Sequence, residues 1–175
     1  IMVNLHDIDN LREREKELYC LYRIIQILKE EASDTLDVLK RVVNEIPDGW
    51  RYPGICMAKL TYEGRQFTTP GFYETNFYQS SDIVVDEKVV GAITVYYSNN
   101  VTGDLNTLFL PEEFQLLKNI SDQVSLFIFN RRLKESVSYL KDTTSNSQKH
   151  EILSYPIDYH WQWRYKMAEL IAEEA

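Results

Sequence analysis

Two cysteines, three histidines and a scatter of carboxylates are the side chains here whose chemistry could make this chain a catalyst. A nucleophilic or redox thiol needs an electropositive, partly exposed setting. Cys20 falls in a helical pattern and Cys56 in an apolar strand pattern, so both are expected as buried, unreactive thiols in a reducing, cytoplasmic compartment. His6, His150 and His160 all lie outside the patterned body, which leaves no imidazole there to act as general base, metal ligand or haem ligand. Among the carboxylates no pair stands in settings that would drive two pKa values apart. The expectation is therefore a non-catalytic domain with no metal and no cofactor.

Charge and length narrow the remaining functions. The chain has 175 residues and a net charge of −8, which disfavours nucleic acid, because phosphate binding depends on clustered Lys and Arg. The basic clusters in LREREK and NRRLK are mixed with Glu or lie on helix faces, as solvated surfaces do. No apolar run approaches the roughly 18 residues that a membrane span requires, so no membrane insertion is expected. The first ten residues lack the basic and apolar regions of a secretory signal.

The elements that would position any site read as helix, helix, hairpin, crossover, hairpin, long helix. Leu11, Leu18 and Ile25 recur every seven residues in a helix over 11–31, whose charged first half is expected to project beyond the globular body. Ser33 or Asp34 caps a second helix carrying Leu36, Leu39, Val42, Val43 and Ile46, which Pro47 and Gly49 stop. A strand over 54–62 alternates Cys56, Ala58, Leu60 and Tyr62 against Ile55, Met57, Lys59 and Thr61. Glu63-Gly64 turns it into RQFTT, and residues 70–76 are read as a crossover loop or a short helix. Strands over 77–85 and 88–98 meet at Asp86-Glu87, and Gly91 marks a bulge or a close contact. Pro111, Glu112 and Glu113 open a helix reaching Leu140. Its face is Phe114, Leu117, Ile120, Val124, Phe127 and Ile128, and its heptad row is Leu126, Leu133 and Leu140. Residues 141–150 read as a polar linker, and 151–175 as a helix that either folds back or leads to an output domain beyond residue 175.

This order, with the phrases LREREKELYCLYRI, IPDGWRYPGICMAKL, FYQSSDIVV, VVGAITVYY and FLPEEFQLLKNISDQVSLFIFNRR, resembles the GAF branch of the GAF/PAS sensory superfamily. The likeness covers residues 11–133 and is to input domains of bacterial sensor histidine kinases and of phosphoenolpyruvate-synthase-like multidomain proteins. It implies an α+β fold, an antiparallel sheet of five or six strands with the terminal helices on one face, and a ligand cavity under the crossover on the other. The chain lacks the histidine used near tetrapyrroles, a bilin-attachment cysteine and the cyclic-nucleotide motif, so photoreception and haem sensing are disfavoured and cyclic-nucleotide binding is unsupported.

Trp50, Tyr52, Phe67, Phe72, Tyr73, Phe77 and Tyr78 gather near the crossover, with Gln79, Ser80, Ser81 and Asp82 as neighbouring polar groups. They would line either a small-molecule pocket or a second core filled by its own aromatics. Two functions follow. One is a sensory domain (1–140) that binds a small molecule or partner and relays the event through helices paired in a homodimer at Leu11, Leu18, Leu126, Leu133 and Leu140. The other is a dimerisation or docking module without a ligand. A thiol-dependent enzyme would need Cys56 exposed and acidic, which an apolar strand opposes.

Overall fold

A computed structural model describes residues 5–30, 33–98 and 108–145, and gives side-chain surroundings for 8–30, 33–98 and 108–140. Helix α1 is Leu5–Leu28, α2 is Thr35–Glu45, and α3 is Pro111–Ser145. The strands are β1 (Cys56–Tyr62), β2 (Arg65–Thr68), β3 (Tyr78–Val85) and β4 (Lys88–Tyr97). Among the described residues they form one antiparallel four-stranded sheet in the order β2-β1-β4-β3. Five or six strands were expected. The chain divides into two compact units, Ile1–Ile128 and Phe129–Ala175, with the boundary inside α3. Residues 141–145 of the expected linker are helical, and the rest of the linker and the tail lie outside the described residues.

Both hairpin turns hold their central residues in the left-handed region, at φ 47° and 77° for Glu63-Gly64 and 52° and 61° for Asp86-Glu87. That backbone matches the right-handed twist of paired strands. The second hairpin carries a bulge: Ile83 pairs with Gly91 and Val84 with Val89, leaving Val90 as the extra residue on β4. Bulges of this kind bend the strand and strengthen its twist.

Strand alternation divides the sheet into two faces. Ala58, Leu60, Ile83, Ile93, Val95 and Tyr97 are buried on one of them, and α2 packs over β1 and β2 on that side. Asp34, rather than Ser33, caps α2 by accepting from the backbone N–H of Leu36 at 3.0 Å. The buried stripe Val38, Leu39, Val42 and Val43 then meets the sheet. In α1 the buried positions are Glu17, Cys20, Ile24 and Ile27, one face of a helix at three- and four-residue steps. The first half of this helix does not stand clear of the body. Lys16 donates to the carbonyls of Trp50 and Arg51, and Arg14 pairs with Glu112 at 3.4 Å.

Five of the six residues expected on the core face of α3 are buried, namely Leu117, Ile120, Val124, Phe127 and Ile128, and only the first turn differs. Phe114 is exposed, while Glu113 and Leu116 are buried with Leu117, Ile120, Val124 and Ile128. Glu113 is held by three hydrogen bonds. It reaches back to the N–H of Leu110 (2.7 Å), half of a capping box, and accepts from the N–H of Arg51 (2.6 Å) and the hydroxyl of Tyr97 (3.1 Å). One carboxylate thus fastens the start of α3, the turn after α2 and the end of β4.

Candidate functional site

The face of the sheet opposite α2 carries three rows of residues set directly opposite one another on neighbouring strands. The first row is Met57, Tyr96 and Tyr78; the second is Thr68, Lys59, Thr94 and Ser80; the third is Gln66, Thr61, Ala92 and Asp82. Ser80 and Thr94 share a hydrogen bond of 3.0 Å between their hydroxyls. The central row is therefore polar across all four strands, with one cation, Lys59, in its middle.

The crossover from β2 to β3 lies over the first two rows because it is pinned at both ends. Thr69 Oγ1 accepts from Ala58 N–H, and Thr69 N–H donates to Ala58 O. At the far end Thr75 Oγ1 donates to Tyr97 O at 2.8 Å and accepts from Phe77 N–H. The segment between them adopts neither helix nor strand. It brings Phe72 edge-on to Tyr96, with ring centroids 5.3 Å apart, and places the Glu74 carboxylate on the Lys59 ammonium. Lys59 also stands 5.5 Å from the Tyr96 ring centroid and 5.9 Å from that of Phe72, within reach of cation–π attraction. Its bond to Glu74 is the main reason that its pKa is raised, so the ammonium stays charged. Beside this ion pair lies an open cleft of about 490 Å³ lined by Glu74, Thr75, Asn76, Tyr78, Thr94 and Tyr96.

The sequence-expected pocket residues separate onto different sides of the sheet. Phe72, Tyr78, Ser80 and Asp82 belong to the cleft face. Trp50 is fully buried, because the 3-10 turn Ile46–Gly49 carries it into the core. Tyr52 packs edge-on against Tyr97 at 5.8 Å on the helix side. Phe67 opposes Leu60, Gln79 opposes Val95 and Ser81 opposes Ile93, so alternation turns all three toward the helices. Phe77 contributes its carbonyl, which accepts from Tyr97 N–H, and Tyr73 is exposed. Lys59, Glu74, Thr94 and Tyr96 were not among the expected site residues. A lysine in the middle of an apolar strand was the available signal, since Lys is seldom placed there unless paired.

The thiols stand apart from this site. Burial is the main cause that pushes Cys20 up to about 12 and Cys56 well above the usual thiol range. Iodoacetamide at neutral pH is therefore expected to leave both unmodified in the native protein and to label both in denaturant, as read by intact mass. Rapid native labelling of Cys56 would restore the thiol chemistry that the sequence disfavours.

The helices present a separate surface. Leu11 and Leu18 on α1 are 67% and 68% exposed, and Leu126 on α3 is 53% exposed. Leu133 and Leu140, from the same α3 heptad row, are half-buried. A groove of about 380 Å³ between α1 and the start of α3 is walled by Leu18, Leu21 and Leu116 and edged by Arg14 and Glu112. No helix among the described residues is long and apolar enough to cross a membrane. Comparison with protein-family models, with curated proteins and with solved structures finds no match for this chain in any of the three.

Proposed function

We propose that this chain is a non-catalytic, GAF-like sensory domain of the cytoplasm, in which a small molecule held on the open face of the sheet is reported through paired terminal helices to an output domain. The reading carries with it a sheet of five or six strands, one or two more than the described residues form. One observation supports it above the others: one face of the sheet is sealed by helices, while the other holds a cleft of about 490 Å³ with an aromatic wall and an adjoining cation. Sites for small molecules commonly have volumes of roughly 300–1,000 Å³, and this one sets the rings of Tyr78 and Tyr96 among mainly polar groups.

The exposed leucines of α1 and α3 provide the second half of the relay. Leu11 and Leu18 lie one heptad apart, as do Leu126 and Leu133, the spacing that lets helices pair along a seam. A ligand transmits a signal through such a seam by binding one helix arrangement more tightly than another.

Replacing Leu126 and Leu133 together with Asp is expected to give a monomer that keeps the circular dichroism of its sheet, while the unaltered chain is a dimer by light scattering. A metabolite screen by thermal shift tests the ligand half, because a bound molecule raises the melting temperature with the logarithm of its concentration. Dimers that respond to no metabolite would leave the docking module as the better reading. A wild-type chain that is monomeric at every concentration would remove the paired-helix relay.

A further inference from the structure

The chemistry of the open face specifies what the cleft takes, and this rests on the sensory reading above. We infer that the ligand is a small aromatic monocarboxylate, whose carboxylate replaces that of Glu74 on Lys59 while its ring lies against the exposed ring of Tyr78 at the edge of Tyr96. Lys59 and Glu74 are unequal partners. The lysine side chain is 17% exposed and rises from the middle of the sheet, whereas the glutamate side chain is 63% exposed and sits on the irregular crossover. The glutamate regains its hydration on release, and an ion pair with so exposed a partner contributes little to stability. The lysine stem is held beside the rings of Tyr96 and Phe72, so its ammonium stays in place, charged and able to receive another anion, when Glu74 leaves. Glu74 thus occupies the position of a bound carboxylate and competes with one from solution.

The surroundings of the ammonium define the rest of the ligand. Phe72 and Tyr78 flank the buried Tyr96, with centroids 5.3 and 5.6 Å from its own, and Tyr78, 53% exposed, offers a flat apolar body its ring surface in the cleft. Ser80, Thr94, Thr75 and Asn76 add neutral hydrogen-bonding groups and no second cation. A phosphorylated ligand would bring close to two negative charges to a single lysine on a chain of net charge −8. One carboxylate matches one ammonium.

The experiment is isothermal titration of the full chain, and of its Glu74→Gln, Lys59→Met and Lys59→Arg variants, with sodium benzoate, sodium acetate and benzyl alcohol. Circular dichroism establishes that each variant is folded. Glu74→Gln, which removes the internal competitor, is expected to bind benzoate about fivefold more tightly than the unaltered chain. Lys59→Met is expected to lose benzoate, Lys59→Arg to retain it, and acetate to bind more weakly than benzoate throughout. Equal benzoate affinity in the unaltered chain and Glu74→Gln would overturn the competition, and benzoate binding by Lys59→Met would overturn the role of the ammonium. If benzyl alcohol or a neutral metabolite binds while benzoate does not, the carboxylate assignment falls and the sensory reading stands. If neither these probes nor the metabolite screen gives a ligand, both fall.

Discussion

Replacing Gly91 with alanine is expected to destabilise the fold by at least about 3 kcal/mol, a large share of the roughly 5–15 kcal/mol that holds a typical domain together. A Cβ at this position would lie 1.9 Å from the carbonyl oxygen of Thr61 and 2.8 Å from its carbon. Both are backbone atoms of the neighbouring strand. No rotamer relieves such a clash; β1 and β4 would have to separate where Tyr62 faces Gly91, beside the bulge at Val90. Gly54 is the matched control. Nothing lies within 4 Å of its added Cβ and its φ is outside the left-handed region, so Gly54→Ala is expected to be neutral or to stabilise by about 0.5 kcal/mol. Urea titration followed by circular dichroism separates the two, and a Gly91→Ala midpoint equal to wild type would refute the close approach.

Glu113→Ala is expected to lower stability by about 3 kcal/mol, because it strands the N–H groups of Arg51 and Leu110 and the hydroxyl of Tyr97 together. The same carboxylate also gives a pH signature. Burial raises its pKa, outweighing the lowering by its hydrogen bonds from Arg51, Leu110 and Tyr97. The folded state therefore holds the proton more tightly than the unfolded chain does. Its favourable contribution is complete below the unfolded value of roughly 4.3 and is lost as pH rises through the higher folded value. In Glu113→Gln that titration is absent. Denaturant melts at pH 4.5, 5.5, 6.5 and 7.5 should show wild type holding its largest advantage over Glu113→Gln at the acid end, with the gap narrowing toward neutrality. A gap that widens with pH would mean that the hydrogen bonds, not burial, dominate.

The order of the elements through α3 was legible in the sequence because it depends on short-range rules, whereas the five or six strands implied by the resemblance exceed the four that the described residues form. Asp34 before a run of apolar residues at helical spacing, Pro47 closing that run, and two-residue turns between β-rich segments each act within a few positions. Alternation along β1 likewise placed Ala58 and Leu60 on one face and Met57 and Lys59 on the other. The bounds of α3 were less legible, since the polar residues 141–145 continue the helix instead of ending it.

Which aromatic side chains would share a site was not decided at that range. Trp50, Phe67 and Phe72 looked equivalent in the sequence, yet the turn after α2 buries the first, pairing with β1 turns the second toward the helices, and the crossover sets the third on Tyr96. Glu113 looked like an ordinary helix-start carboxylate until Arg51 and Tyr97 came to meet it from 62 and 16 residues away. The sequence by itself determined the local conformations and the two-faced character of each strand, because backbone sterics and side-chain periodicity act over a few residues. Only the tertiary structure decided which face is covered and which residues become neighbours of Lys59, because strand register and the path of a pinned loop are set by contacts between distant segments.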